Sequence, residues 1–319
     1  MVSDDDLRVD LQAPDIADWR HGNTGVDYAH CLDSGRPGPD ALINALMHGN
    51  ELCGAIAVDR LLRSGFRPTR GRLTLCFANT EAYRRFDPAA PTRSRFVDED
   101  MNRLWSADRL DAPPVTAEAR RAQALRPLFD RADRLLDIHS MGTRSAPILL
   151  VHGLAKERRF ARAMRVPATV ACGGGHVQGR RLIEYAPFND PVSDKVALLV
   201  ECGHHWSPES AVVAMDAALY FLRALDMVDP GYLREHVGDP APPPQTVLDV
   251  THGYTIRTDD FYFTAQFAGL ERFPRAGEVF AVDGGEEVRT PYDDCVLVMP
   301  NHRAVKGQRA FRLARTATD

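Results

Sequence analysis

The chain has 319 residues, of which 44% are hydrophobic, and carries a formal net charge of −5 at pH 7. Its basic and acidic residues are interspersed, which argues against binding to nucleic acid or to an anionic membrane surface and favours a small-molecule partner. Residues 1–10 are acidic and polar, unlike a secretory signal, and no run of about eighteen apolar residues is present, so we expect a cytoplasmic protein with no membrane span.

The central part of the chain alternates apolar runs of strand length with amphipathic stretches. This is the pattern of strands that pack between crossover helices. It predicts an α/β fold with a mixed, mostly parallel sheet and helices on both faces. The predicted strands are 41–47, 72–79, 134–139, 147–153 and 195–203, and the predicted helices are 51–65, 116–132 and 210–225.

The composition changes near residue 235. Residues 228–245 include three consecutive prolines and show no apolar periodicity, which is typical of a boundary. Beyond it, short segments of strand composition are separated by Gly and Pro turn signals. We therefore expect an α/β domain over residues 1–235 and a small β domain over residues 236–319 that partly covers the ends of the α/β strands.

Polar residues stand where the predicted strands end. The strand 41–47 is followed by the tetrapeptide HGNE, which begins with His48 and ends with Glu51. In open α/β sheets, ligands bind outside the carboxyl ends of the strands. If these strands are neighbours, one edge of the sheet gathers five polar side chains, namely those of His48, Glu51, Asn79, His139 and Glu201.

Two histidines and a glutamate of this set match the ligands of a catalytic zinc ion, which takes three His or carboxylate ligands and leaves a position for water. His48 and Glu51 stand three residues apart at a strand-to-helix turn, and His139 comes from another strand. Asp137 could orient a ligand histidine from behind. A lone histidine at a strand end is more often structural, but three strand ends together favour a metal. The cysteines form no C-x-x-C pair, which argues against a cysteine zinc site.

Two further features each allow a chemical and a structural interpretation. Glu201 ends a strongly apolar strand, where an unpaired carboxylate has a raised pKa and suits proton transfer; a capping or salt-bridged glutamate is the alternative. Residues 93–105 are dense in Arg, Asp and Asn. Arginine forks in this segment could bind a substrate carboxylate, whereas a solvated loop held by internal ion pairs is the structural alternative.

At these residues the sequence resembles the aspartoacylase and succinylglutamate desuccinylase family, a branch of the zinc carboxypeptidase-like fold. The resemblance covers most of residues 40–225. It is carried by the HGNE zinc motif at 48–51, by a second zinc histidine at the end of an apolar strand, and by a V-E-x-G setting at 200–203. It implies one Zn²⁺ per chain, held by His48, Glu51 and His139, with Glu201 as the catalytic base.

The resemblance also assigns roles within residues 93–105. The family's carbonyl-polarising arginine precedes an Asn-Arg pair by seven residues, and Arg95 stands seven residues before Asn102. The resemblance therefore implies that Arg95 polarises the scissile carbonyl. It further implies that Asn102 and Arg103 bind a substrate carboxylate and that Asp100 positions the arginines. Asn79, at its strand end, is predicted as an additional substrate-binding residue.

The chain departs from the family at a second arginine. Aspartate-specific members carry it about ten residues before the catalytic glutamate, where this chain has Pro191. Residues 173–181, with Arg180 and Arg181, are expected to take over its role unless the substrate lacks that carboxylate. A tyrosine supplied by the family's C-terminal domain has three candidate counterparts, namely Tyr254, Tyr262 and Tyr292.

The resemblance implies a deacylase that hydrolyses the amide bond of a small N-acylated amino acid or related metabolite. Two alternatives stay open. One is a metallocarboxypeptidase that acts on a peptide C-terminus, and the other is a non-catalytic zinc-binding protein. Because family members often oligomerise, a homo-oligomer is also compatible with the sequence.

Overall fold

The computed structural model describes residues 7–173, 178–237 and 242–318. Its strands are β1 (Ala29–Asp33), β2 (Asp40–Ala45), β3 (Arg72–Phe77), β4 (Arg134–Met141), β5 (Ile148–Val151), β6 (Thr169–Cys172), β7 (Val196–His204), β8 (Thr246–Thr255), β9 (Phe261–Phe263), β10 (Arg272–Phe273), β11 (Val279–Asp283), β12 (Glu286–Arg289), β13 (Cys295–Val298) and β14 (Arg309–Thr316).

The helices within these ranges are α1 (Leu52–Arg63), α2 (Thr80–Tyr83), α3 (Ala107–Asp111), α4 (Ala117–Arg131), α5 (Ala155–Met164), α6 (Ala186–Asn189), α7 (Pro208–Ala224) and α8 (Pro230–Val237). Short 3-10 helices lie at Ala17–Trp19, Met101–Arg103 and Leu182–Glu184. None of the described helices combines the length and the apolar character that a membrane crossing requires.

One large sheet organises the fold. Among the described residues it has eleven strands in the order β1-β3-β2-β4-β7-β5-β6-β8-β14-β13-β10. The central strands β3, β2, β4 and β7 are parallel neighbours, and so are β5, β6 and β8. Antiparallel pairings occur between β5 and β7 and at both margins of the sheet. The predicted mixed, mostly parallel sheet is therefore confirmed.

Two apolar layers cover the faces of this sheet. Ile43 of β2 packs into the layer that includes α1, α5 and α7, whereas Leu42 packs into the layer beneath α4. Successive strand residues point to opposite faces, so a strand that is covered on both sides needs apolar residues throughout. This requirement explains the unbroken apolar runs of the sequence and confirms the prediction of helices on both faces.

Several elements were not predicted from the sequence. The strands β1 and β6 and the helix α5 lie in stretches where apolar residues are few or interrupted. In α5, only Phe160, Ala161 and Met164 are buried apolar residues, while Glu157 is a buried carboxylate that accepts from two backbone N–H groups. The predicted helix 51–65 begins at Leu52 instead, because Glu51 occupies its N-cap position.

The C-terminal strands continue the large sheet. β8 pairs in parallel with β6, and β14, β13 and β10 follow in antiparallel register. A second sheet, of order β12-β11-β9, packs against them around Phe280 and Phe311. Thr143, beyond β4, donates to the carbonyl oxygen of Pro300 at 3.0 Å. The division into two domains near residue 235 stays a prediction.

We expect Phe280→Ala to destabilise the C-terminal sheets. Phe280 is fully buried and contacts the rings of Phe273 and Phe311. A buried Phe→Ala substitution typically costs about 3–5 kcal/mol, whereas a surface substitution changes stability by roughly 0.5 kcal/mol or less. Denaturant unfolding should show this difference against Tyr262→Ala, since Tyr262 on neighbouring β9 is 53% exposed. Equal losses in both variants would contradict the described packing.

Candidate active site

Four strand ends meet at one edge of the sheet. His48 follows β2, while His139 of β4 stands opposite Glu201 of β7 in the strand register. Asn79 follows β3 on the other side of β2. Because β3, β2, β4 and β7 are parallel neighbours, their carboxyl ends lie together. The structure therefore brings the predicted polar residues to a single edge.

His48, Glu51 and His139 form a compact buried group. The Glu51 carboxylate lies between the two imidazoles, with Oε1 at 2.8 Å from His48 Nδ1 and Oε2 at 2.9 Å from His139 Nδ1. The opposite ring nitrogens face aspartates, since Nε2 of His139 lies 2.9 Å from Asp137 and Nε2 of His48 lies 2.9 Å from Asp100. The candidate ligand atoms all lie within 4.8 Å of one another.

These three side chains fit a divalent metal ion. Two imidazole nitrogens and one carboxylate make the donor set of an open site, and carboxylates behind the histidines fix the ring orientations. Glu51 Oε2 is buried and makes no hydrogen bond of acceptable geometry, as expected of an atom that faces a cation. Burial alone would raise the pKa of Glu51, but His48 and His139 hold it well below its usual value. The group can therefore hold a metal.

Gly49 is required by a close approach of backbones. A Cβ atom at this position would lie 2.5 Å from the Ala82 carbonyl carbon and from the Ser94 oxygen, both of which are main-chain atoms. The Gly49 N–H also donates to the Arg95 carbonyl oxygen at 3.0 Å. Because Gly49 has no side chain, the loop of residues 93–105 can lie directly beside the turn that carries His48 and Glu51.

Arg95 and Asp100 lie on this loop and contact the metal-ligand group. Arg95 Nη2 is 2.9 Å from His48 Nε2, and Arg95 Nη1 is 3.3 Å from Glu51 Oε1. Asp100 Oδ2 lies 3.5 Å from Arg95 and from Arg103. Burial opposes the charge of Asp100, but His48 and the two arginines hold the pKa of its carboxyl far below the usual range. Asp100 thus contacts both arginines, and its role in positioning them for a substrate stays a prediction.

Glu118 holds the backbone of the loop that carries Arg95, a role that no sequence motif indicated. This fully buried carboxylate of α4 accepts from the backbone N–H groups of residues 97–99. It also accepts from Asn79 Nδ2 at 2.9 Å, while Asn79 Oδ1 accepts from the Ala82 N–H at the start of α2. Both ends of the Asn79 amide are thus engaged within the protein, and its role in substrate binding stays a prediction.

Glu201 lies beside the metal-ligand group with one oxygen uncommitted. The side chain is buried, and its Oε2 has no hydrogen-bond partner among the described residues. Burial raises the pKa of Glu201 to about 8, and the neighbouring His139 opposes this shift. A carboxylate in this setting can accept and return a proton at neutral pH.

Asn102 and Arg103 are joined to the segment that contains Arg181. Asn102 Oδ1 accepts from the Leu182 N–H at 2.8 Å, which leaves the Asn102 NH₂ group as a donor. Arg103 lies near Asp100, and Arg181 is buried and bonds to Glu184 at 3.2 Å. The structure therefore brings Arg103 and Arg181 to the same side of the site.

The remaining predicted residues lie farther from this group. Arg180 is exposed, and its backbone pairs with Leu104. Residues 174–177 of the segment 173–181 lie outside the described residues. The contacts of the candidate tyrosines lie among the C-terminal strands, since Tyr254 donates to Asp283 and Tyr292 bonds to Thr251, while Tyr262 is largely exposed.

Comparison with known proteins agrees with this fold. Residues 37–179 match the model of the family described as the succinylglutamate desuccinylase/aspartoacylase catalytic domain. Solved structures with the same fold include a succinylglutamate desuccinylase from Vibrio parahaemolyticus, which is 20% identical, with 89% of this chain and 83% of that chain covered and a TM-score of 0.61. A search among curated proteins gives no match.

Two further structures share the fold. The succinylglutamate desuccinylase/aspartoacylase from Rhodobacter sphaeroides is 20% identical, with 89% and 87% of the two chains covered and a TM-score of 0.64. The product-bound ectoine utilization protein EutE (DoeB) from Ruegeria pomeroyi is 16% identical, with 93% of each chain covered and a TM-score of 0.62. The chain has the desuccinylase fold, and residues 37–179 are similar to the succinylglutamate desuccinylase/aspartoacylase catalytic domain.

We expect Asp137→Asn to weaken metal binding by roughly 10- to 100-fold, the usual effect of losing a carboxylate behind a ligand histidine. Asp137 accepts from Asn44 at 2.7 Å and faces His139 at 2.9 Å, and one amide oxygen cannot serve both. Competition with a chelating dye measures the affinity. Asp133→Asn, at the residue directly before the same strand, is the control; unchanged affinity in Asp137→Asn would contradict the assignment.

Proposed function

We propose that the chain is a zinc-dependent hydrolase that cleaves the amide bond of a small N-acylated amino acid or related metabolite. The observation that carries the proposal is the position of Glu201, buried with a free oxygen and paired in register with His139 of the metal-ligand group. The match of residues 37–179 to the succinylglutamate desuccinylase/aspartoacylase catalytic domain supports the reaction class.

His48, Glu51 and His139 would hold the zinc ion. Their mixture of imidazole and carboxylate donors is the one that catalytic zinc sites use, and no cysteine takes part. Bound zinc would polarise the scissile carbonyl and lower the pKa of water toward neutrality. The aspartates behind the two histidines would keep the rings in the orientation that the structure shows.

The chain's own residues would carry out the proton transfers and hold the substrate. Glu201 Oε2 would take a proton from the attacking water and pass it to the leaving nitrogen, since its raised pKa suits both steps. Arg95, held by Asp100, would stabilise negative charge on the carbonyl oxygen. The Asn102 NH₂ group and the Arg103 guanidinium would bind a substrate carboxylate as donors.

The contacts of the C-terminal segment favour a small substrate over a peptide. Thr143 bonds to the Pro300 carbonyl oxygen and Ser145 to that of Ala268, so C-terminal loops pack on the loop that follows the His139 strand. A metallocarboxypeptidase needs an open groove for the rest of its peptide. A C-terminal segment that partly covers the site would restrict such a groove.

A substrate panel tests the proposed function. We would measure amine release by the zinc-loaded protein from N-acetyl, N-formyl and N-succinyl amino acids and from blocked dipeptides. The proposal predicts turnover of the acyl amino acids and little turnover of the dipeptides. Preferential cleavage of the dipeptides would instead indicate a metallocarboxypeptidase, and zinc binding without any hydrolysis would indicate a non-catalytic protein.

We expect Glu201→Gln to keep zinc but lose turnover. The substituted amide cannot accept the proton, and loss of a general base typically lowers the rate by about 10²–10⁴-fold. Zinc content and kcat should be measured side by side. Glu209→Gln, an exposed position on α7, provides the control. Turnover in Glu201→Gln close to that of the unchanged protein would exclude Glu201 as the base.

We expect Arg95→Ala to lower kcat by about a hundredfold or more with zinc retained, because one oxyanion contact is lost. Arg93→Ala changes an exposed arginine on the same loop and should leave kcat unaffected. Steady-state kinetics on the best panel substrate distinguish the two variants. A kcat in Arg95→Ala that matches the control would remove Arg95 from the mechanism.

A further inference from the structure

A small polar cavity lies where the end of β3 meets the start of α4 and the segment before β1. Its volume is about 180 Å³, and its lining includes three arginines, Arg20, Arg84 and Arg121, together with Thr80. Of the residues that have been given a role in metal binding, catalysis or substrate binding, Asn79 is the one that lines it. The cavity is therefore separate from the candidate active site and adjoins it at Asn79.

Arg121 is held in one orientation at the wall of this cavity. Its Nε donates to the carbonyl oxygen of Ala78 at 2.7 Å, and its Nη2 donates to those of Phe77 and Asp27 at 2.8 and 2.9 Å. Its Nη1 makes no hydrogen bond in the described part of the chain and stays available as a donor. Burial lowers the pKa of Arg121 and so disfavours its charge, which an anion in the cavity would stabilise.

The two carboxylates that line the cavity already have partners. Asp27 lies 3.8 Å from Arg20, and Glu81 lies 3.2 Å from Arg85. Arg84 is exposed, and its side chain forms no ion pair or hydrogen bond with another described residue. The lining therefore has an excess of positive charge, carried by two guanidiniums that lack a carboxylate.

A phosphate group matches this lining better than a carboxylate does. It carries about −1.5 to −2 charges at pH 7 and has three strong acceptor oxygens. Arg84 and the Nη1 group of Arg121 supply charged donors, which bind phosphate oxygens strongly. The Thr80 hydroxyl has no hydrogen bond within the described ranges and can donate to a further oxygen. Charge and donor number thus both favour a dianion with several oxygens.

Helix α4 joins this cavity to the loop of residues 93–105. Arg121 follows Glu118 by three residues on α4, so the two side chains lie on the same side of the helix. Glu118 accepts from the backbone N–H groups of residues 97–99 and from Asn79, which itself lines the cavity. A ligand held by Arg121 would therefore stabilise the positions of Glu118 and Asn79 and, through them, the loop backbone.

We propose that this cavity binds a phosphate group, free or as a small monoester, and that the bound phosphate restricts the motion of the loop that carries Arg95. The two unpaired guanidiniums and Thr80 would donate to the phosphate oxygens. Glu118 and Asn79 would transmit the restraint to the backbone of residues 97–99. The cavity would thus be an effector site that acts on the loop without touching the metal-ligand group. The proposal does not depend on the proposed hydrolysis.

Calorimetry with the zinc-loaded protein tests the site. We expect inorganic phosphate to bind and acetate to bind much more weakly. Arg121→Met and Arg84→Met should each weaken phosphate binding by roughly tenfold or more, the usual effect of losing a hydrogen bond to a charged group. Arg84→Met keeps the test valid if Arg121→Met does not fold, because Arg84 is exposed. Arg120→Met changes an exposed arginine beside Arg121 on α4 and should leave the affinity unchanged.

The same titrations separate this cavity from the metal and identify the source of the phosphate. Phosphate that binds to the zinc ion would bind equally well in Arg84→Met, so an unchanged affinity in that variant would overturn the site. Absence of phosphate binding, or acetate binding of equal strength, would also overturn it. Tighter binding of glycerol phosphate would support a monoester as the ligand, whereas equal or weaker binding would support free phosphate.

Hydrogen exchange tests the effect on the loop, because the amides of residues 97–99 donate to Glu118. Phosphate should slow their exchange by about fivefold or more in the unchanged protein and in Arg120→Met, but not in Arg84→Met. Phosphate binding without slower exchange would support the site and refute its effect on the loop. Slower exchange in Arg84→Met as well would place the cause outside this cavity and refute the effect too.

Discussion

The contact of one buried carboxylate with two imidazoles determines the arrangement of the site. Glu51 occupies the N-cap position of α1, His48 follows β2, and His139 lies in the adjacent parallel strand β4. All three side chains are buried, and a buried charge persists only where partners compensate it. Because β2 and β4 are neighbours in the sheet, His48 and His139 both lie next to Glu51 and compensate its charge. The proposed zinc ion would add to this compensation.

The residues around the metal-ligand group make further charged contacts that hold it in place. Asp137 and Asp100 lie behind the two histidines, and Asp100 in turn contacts Arg95. Glu118 then holds the backbone of the loop that carries Arg95. Each polar group is thus oriented by the next, which keeps the reactive side chains in place before a substrate arrives. The helices on both faces of the sheet pack against β2 and β4, the strands that position the two histidines.

The sequence allowed the prediction of the central strands and of the metal ligands, because apolar runs and the residues that end them are local signals. It did not indicate the role of Glu118, which depends on contacts with residues 97–99 in a loop distant along the chain. It also did not indicate that the missing side chain of Gly49 allows a close approach of the Ala82 and Ser94 backbones. The pairing of β14 with β8 and β13 was likewise not indicated, because no local pattern defines strand partners.

The proposed hydrolysis depends most directly on the metal. Protein freed of metal by a chelator should be titrated with zinc while bound zinc and amine release from the best N-acyl substrate are measured together. The account predicts background turnover without zinc and a linear rise that ends at one zinc ion per chain. Full turnover by the metal-free protein would contradict it.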